Sequence, residues 1–263
     1  MDYKRRVNVV LNGVNLQDAA PLVVAQVINE VTPDTDLVTV NNYAFAGQRF
    51  IRLRRKKKEI RIGCMIACVY DLQLRAAMQD ALTKWAQDGI LEVSYRPEQR
   101  LRVNVTSKPA LGSVRDWTQE LEVVFTANAL PYWEDLYPTT VSLTAVAGQT
   151  ASGSVVPPGS TAVIPVEVTV TNTGAGILNT VSVSAGDTAM EFSGLNIPAG
   201  GRLVLSYDNN MVLHITDSTT SKAHCRTAAS DDNLLAVPGQ SATFQVSGDS
   251  NVSAVFSMRG LWE

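Results

Sequence analysis

From residue 138 to the end, apolar residues recur at every second position in short runs. The runs are Ile164–Val170, Val181–Val183, Leu203–Leu205, Met211–Ile215, Phe244–Val246 and Val252–Phe256. Turn-forming groups separate them, including Pro157-Pro158-Gly159, Asn172-Thr173-Gly174, Asp208-Asn209-Asn210, Pro238-Gly239 and Ser247-Gly248-Asp249. A period of two gives each run one face toward a core and one toward water. Short strands spaced roughly ten residues apart, with Gly, Pro and Asn turns, predict an all-β sandwich or jelly roll. No helical period interrupts this half, and no repeat suggests a propeller or solenoid.

The first half reads differently. Residues 1–137 hold 18 Lys+Arg and 16 Asp+Glu, whereas residues 138–263 hold 4 and 9. The net charge thus falls from +2 to −5, and the charge density drops at the same point. A shift of that kind marks a domain boundary, and two domains are expected, 1–137 and 138–263. Val7–Leu11, Leu22–Val31 and Leu37–Asn41 read as short extended segments. Arg49–Arg55 and Glu59–Tyr70 alternate and are expected to pair as a β-hairpin whose charged tip is Lys56-Lys57-Lys58. The period then changes. Leu74, Met78, Leu82 and Trp85 share one face of a helix expected over residues 72–88, capped by Asp71 and ended by Gly89. Strands are predicted at Ile90–Tyr95, Leu101–Val105 and Trp117–Phe125, with a loop over 108–112.

Few residues offer chemistry. The two histidines, His214 and His224, stand apart from any nucleophile pattern, and no phosphate-binding loop, Gly-x-Ser-x-Gly elbow or His-Glu-x-x-His is present. Glu120 and Glu122 lie on the polar face of one strand. Cys64 and Cys68 are four apart on a predicted strand, about 13 Å at ~3.3 Å per residue, too far to share a metal. With Cys225 they make three cysteines, which describes no disulfide framework. Asp231-Asp232-Asn233 lacks the spacing of a calcium loop. No catalytic residue, metal or cofactor is expected. Met1–Arg6 is basic, but Val7–Leu11 is too short for a secretory core. Residues 136–166 are uncharged yet rich in Pro, Gly, Ser and Thr, so no membrane span is expected.

The sharpest charge feature is Arg52, Arg54, Arg55, Lys56, Lys57, Lys58 and Arg61. It could meet an acidic protein surface, serve as a solvated tip that resists edge-to-edge pairing, or bind nucleic acid. Nucleic-acid readers interleave aromatics or add a recognition helix. Phe50 is the only aromatic near the cluster and the whole chain is acidic. A protein contact is the expected role, with no specific nucleic-acid binding.

Three stretches resemble the distal tail protein family of long, flexible-tailed phages and prophages. They are Ile60–Gly89 with its Leu82-x-x-Trp85, then Tyr95-Arg96-Pro97 through Val105 and Trp117–Phe125 into Leu130-Pro131-Tyr132-Trp133. The third comprises Asn172-Thr173-Gly174, Leu234–Gly239 and Arg259-Gly260-Leu261-Trp262. The likeness implies a mainly β chain. An N-terminal β-sandwich-like domain would carry one helix and a long β-hairpin, followed by a galectin-like sandwich. It implies a non-enzymatic structural protein, a homohexameric ring at the distal end of the tail tube. Its partners would be the tube protein and a tail-tip or baseplate hub protein, in a virion assembled in the host cytoplasm. The basic cluster would then face a neighbouring subunit or the tube. Facing the lumen, six copies would hold the passing DNA, because each phosphate contact adds about 0.9 to the salt slope. Pro131, Tyr132 and Trp133 would form the interdomain hinge. The alternative is a carbohydrate-binding module that recognises a host glycan through the C-terminal domain. Phe192, Tyr207 and Trp262 are its candidate stacking residues, although core or seam positions suit them better.

Overall fold

The computed structural model describes residues 7–31, 35–42, 47–66, 71–107, 114–115, 118–159, 163–217 and 220–263, with the side chains of Val27, 35–42, 47–55, 114–115 and 118–120 left aside. Cys68, Tyr70, Trp117, the expected loop at 108–112 and the side chains of Arg52, Arg54 and Arg55 lie outside the described residues. The chain divides into two compact units, Met1–Trp133 and Glu134–Glu263.

Unit 1 is built from β1 (Val9–Leu11), β2 (Val14–Asn15), α1 (Leu16–Ala19), β3 (Val23–Val31), β4 (Thr35–Asn42), β5 (Gly47–Arg55) and β6 (Lys58–Ile66). It continues with α2 (Leu72–Trp85), β7 (Gly89–Val93), β8 (Gln99–Ser107), β9 (Val114–Arg115) and β10 (Thr118–Ala127). Its main sheet runs β2-β1-β7-β8-β10-β6-β3, antiparallel in its recorded pairings, with β9 beside β10. Alternation drives it. Ile60, Ile62, Cys64 and Ile66 on β6 and Leu121, Val123 and Phe125 on β10 are buried. β6 and β10 pair in register, Ile62 opposite Val123. Burial lifts the Cys64 thiol to about 12, so it stays protonated and packs as a small apolar group.

The helix starts where the sequence reading put it. The Asp71 carboxylate accepts from the N–H groups of Gln73 and Leu74, both at 3.0 Å, a cap worth about 1 kcal/mol. Only its last turns enter the core: Leu82 and Trp85 are buried, and Trp85 meets Phe125 edge-to-face at 6.1 Å. The Trp85 indole N–H donates to the Val14 carbonyl at 2.9 Å. The helix stops at Trp85 and not at Gly89, which opens β7 instead. Gly89 is required for a different reason. A Cβ there would fall 1.8 Å from Asn12 Oδ1, the atom that accepts from the Ile90 N–H at 2.9 Å.

The hairpin expectation is corrected. β5 pairs with β4, whereas β6 pairs with β3 and β10. Val31 stands opposite Glu59 in the body and Thr35 opposite Arg55 beyond it. The β4/β5 pairing continues the same antiparallel register beyond β3/β6, and its last recorded pair is Asn42 opposite Gly47. Lys56-Lys57-Lys58 contains no Gly, Asn or Pro to reverse the chain, so it stays extended and links β5 to β6.

Unit 2 begins within β11 (Trp133–Asp135). It adds β12 (Thr139–Ala145), β13 (Thr150–Val155), β14 (Ile164–Asn172), β15 (Val181–Ala185), β16 (Thr188–Phe192) and β17 (Arg202–Tyr207). β18 (Leu213–Thr216), β19 (Leu235–Ala236), β20 (Ala242–Gly248), β21 (Val252–Met258) and β22 (Leu261–Trp262) complete it. One sheet is ordered β12-β21-β14-β17-β18, with β19 on β14, and the other β13-β20-β15-β16. Phe244 of β20 and Phe256 of β21 meet between them at 5.3 Å. This is the expected antiparallel sandwich, and the whole chain is mainly β.

Two sequence motifs of unit 2 serve as internal ties. Asn172 is fully buried. Its Nδ2 donates to the carbonyls of Gly176 at 2.8 Å and Ile197 at 3.0 Å, while Oδ1 accepts from Gly174 N–H and Ser250 Oγ. All four hydrogen-bonding positions of the amide are used, so its burial is compensated. At the chain's end, the Asp135 carboxylate accepts from Gly260 N–H at 2.9 Å and Trp262 Nε1 at 2.6 Å. The Arg259 guanidinium donates to the carbonyls of Asp135 and Leu136.

Candidate functional site

The ribbon β4/β5 forms a two-stranded sheet of its own. A two-stranded ribbon is marginal in water unless something covers a face. β4 carries the apolar Leu37, Val38 and Val40, and β5 mixes the apolar Phe50, Ile51 and Leu53 with the basic Arg49, Arg52, Arg54 and Arg55. Lys56 and Lys57 continue the basic run and are exposed.

Lys58 leaves the run and turns inward. It is 2% exposed, and its Nζ lies 2.7 Å from Glu30 Oε1. The same oxygen accepts from Trp133 Nε1 at 2.9 Å and from Arg96 at 3.4 Å, and Tyr95 OH lies 3.4 Å from Oε2. The Trp133 ring sits under two cations, with Lys58 Nζ at 5.6 Å and Arg96 at 5.0 Å from its centre. Tyr95 meets its edge at 6.4 Å. Arg96 is further held by Gln99 at 3.0 Å. Arg61, the last residue of the basic cluster, is exposed and pairs with Glu59 at 2.6 Å.

Each member of the cluster comes from a different place in the chain. Glu30 is the second-last residue of β3 and Lys58 the first of β6. Tyr95 and Arg96 come from the turn between β7 and β8, and Gln99 opens β8. Trp133 closes unit 1. Burial alone would push the Glu30 carboxyl up. Hydrogen bonds from Lys58 and Trp133 and the charges of Lys58 and Arg96 outweigh it and hold the group below the usual carboxylate range. The arrangement fixes a root. It anchors the strands where the ribbon departs, and it ties the end of unit 1 to the same point. Of the residues expected at a hinge, Pro131 and Trp133 are buried and Tyr132 is half-buried.

The sequence reading gathered the basic run but missed Glu30, Tyr95 and Arg96. Glu30 stands next to last in a mostly apolar strand, and a lone carboxylate there is the only local signal. The residues considered for stacking sugars are occupied elsewhere. Phe192 is buried, Tyr207 nearly so, and Trp262 is bonded to Asp135. His214 is half exposed and 3.3 Å from Asp208. Cys225 is buried. Asp231 accepts from Ala189 N–H and Asp232 pairs with Arg226. Among the described residues no three of His, Cys, Asp and Glu come together as metal ligands.

Solved structures share this fold. The crystal structure of SPP1 Dit (gp 19.1), described as a paradigm of the hub adsorption apparatus in Gram-positive infecting phages, aligns with a TM-score of 0.64 at 10% identity. The alignment covers 96% of this chain and 98% of that one. A chain of the phage p2 baseplate in its activated conformation with Sr aligns at 0.54 and 10% identity, covering 97% of each. The same baseplate with Ca aligns at 0.51 and 10% identity, again over 97% of each. No protein-family model and no curated protein matches the chain. The resemblance carried by Ile60–Gly89, Pro131-Tyr132-Trp133 and Arg259–Trp262 is borne out at the level of the fold.

Proposed function

We propose that this chain is a distal tail protein, a structural component of the tail tip of a long-tailed phage or prophage. The carrying observation is the likeness to SPP1 Dit, which spans both units and leaves almost nothing of either chain unmatched. In this reading the protein is made in the host cytoplasm and carried in the virion. It forms a homohexameric ring at the distal end of the tail tube, contacts the tube protein, and acts as a hub for the baseplate and host-recognition proteins. It works as a scaffold and catalyses nothing.

The physics of the ribbon supports an assembly role. A projecting two-stranded ribbon gains its stability from a surface it lies against, and its basic residues favour an acidic one. Arg52, Arg54, Arg55, Lys56 and Lys57 supply the subunit or tube contact. Lys58 acts from inside the root, and Arg61 sits beside it. Pro131, Tyr132 and Trp133 form the anchored side of the interdomain hinge. Glycan binding by unit 2, the alternative, is disfavoured because Phe192, Tyr207 and Trp262 leave no stacking platform.

Gold-labelled antibody against the chain, applied to virions of the phage that encodes it, should mark the distal end of the tail tube. Label confined to the capsid, or absent from intact particles, would remove the tail-tip reading.

A further inference from the structure

In each sheet of unit 2 one edge is covered and the other is bare. β16 ends the sheet β13-β20-β15-β16, and residues 226–231 occupy its outer edge. Ala189 N–H donates to Asp231 Oδ2 at 2.7 Å, and its carbonyl accepts from Asp231 N–H at 2.8 Å. Glu191 N–H donates to Ser230 Oγ at 2.8 Å, and its carbonyl accepts from Thr227 N–H at 2.9 Å. At the end of the other sheet, Lys222 N–H donates to the Ile215 carbonyl of β18 at 2.7 Å, and Thr216 bridges to Ser221. The opposite edges are β12 and β13. Among the described residues nothing pairs with the outer side of either, so alternate residues turn their N–H and C=O groups away from any partner strand.

The usual protections of an edge are missing as well. Both strands pair with their neighbours without a bulge, and Thr139–Ala145 and Thr150–Val155 contain no charge and no proline. The core is thin on this side. Phe244, Val246, Ala254 and Phe256 on the neighbouring strands are fully buried, whereas the inward-facing Val141, Leu143, Ala151 and Val155 are only half-buried. Leu143 reaches across to β13, where a Cβ on Gly153 would fall 2.9 Å from its Cδ2. A strand added about 4.8 Å beyond β13 would extend the hydrogen bonding and cover these side chains together.

We infer that β13 is an acceptor edge for an extended segment of another polypeptide, bound by strand addition. The edge sets the chemistry of that segment. Apolar residues at alternate positions cover Leu143 and Val155, and small polar residues between them continue the face of Thr150, Ser152 and Ser154. Basic flanks are favoured, because residues 138–263 hold 9 Asp+Glu against 4 Lys+Arg. The same excess disfavours a second copy, whose unit 2 carries the like charge. The inference goes beyond the scaffold reading and stands on unit 2 alone.

The probe is a fluorescein-labelled octapeptide, Lys-Thr-Val-Thr-Val-Thr-Val-Lys, added to the full chain. Anisotropy should rise to saturation, and amide exchange should slow along β13 while β16 and β18 stay unchanged. The same peptide N-methylated at every residue between its lysines loses those main-chain donors and should not bind. Val155→Lys and, separately, Ala151→Lys place a charge beneath the added strand. Each should weaken binding about ten-fold or more with an unchanged circular dichroism spectrum. No saturable binding, equal binding of the methylated peptide, or binding indifferent to both lysines overturns the acceptor edge. So does protection of β13 that grows with protein concentration in the absence of peptide, which assigns the edge to a second copy. None of these outcomes touches the tail-tip reading, which the antibody label tests separately.

Discussion

A chain in which residues 33–57 are replaced by Asn-Gly is expected to sediment as a monomer, while its two units stay folded. The substitution joins β3 to β6 by a two-residue hairpin turn, the connection that antiparallel strands of this register accept. It retains Glu30, Lys58 and the root cluster. It removes β4 and β5, which form a sheet of their own and add no strand to the main sheet. The cost to the body is therefore small, within about 1 kcal/mol, since loop length enters the closure entropy only logarithmically. The cost to assembly is the whole contact. Sedimentation velocity reads the mass, and the far-ultraviolet spectrum reads the fold. A ribbonless chain that still sediments as the parent oligomer would place the contact elsewhere.

The second large effect lies at the root. Glu30→Leu leaves Lys58 buried without its carboxylate, and breaking a buried pair in this way costs about 3 kcal/mol. Lys58→Met keeps the apolar stem and costs about 1 kcal/mol, because Glu30 retains Trp133 and Arg96. The double variant should return to within about 1 kcal/mol of the parent, as an apolar replacement of a buried pair does. Amide hydrogen exchange along β6 reads these differences within unit 1 alone, with 3 kcal/mol appearing as about two decades of protection. A double variant as damaged as Glu30→Leu would show that Glu30 acts through some other contact.

The same site carries a pH signature. Because the folded-state Glu30 carboxyl is held low, its contribution is fully present above the unfolded value of about 4.3. It is lost as the pH falls through the lower folded value. The stability gap between the parent and Glu30→Gln should thus be constant near neutrality and close below about pH 4.

What could be read from the sequence follows from the range of the forces involved. Asp71 and the Leu74, Met78, Leu82, Trp85 spacing specify a helix because both signals act within one or two turns. Alternation in Ile60–Ile66 and Leu121–Phe125 specifies strands and their buried faces. It does not specify partners. Alternation is the same whether β5 pairs with β4 or with β6, and only the absence of a turn residue at Lys56-Lys57-Lys58 argued against the second. Lys58 illustrates the limit most clearly. In the sequence it is the third of three lysines. Its burial is decided by Glu30 and Trp133, brought together through two strands and the last residue of unit 1. Asn172 is similar: Asn-Thr-Gly was read as a turn, which it is. The buried amide that holds Gly176, Ile197 and Ser250 depends on segments far along the chain.

The most direct test is the mass of the purified full chain in solution, measured by mass photometry and sedimentation equilibrium at micromolar concentration. The account predicts a closed species of six copies of the 28.4 kDa chain, six-fold and ring-shaped in negative stain. A monomer at every concentration, with the ribbon intact, would contradict it.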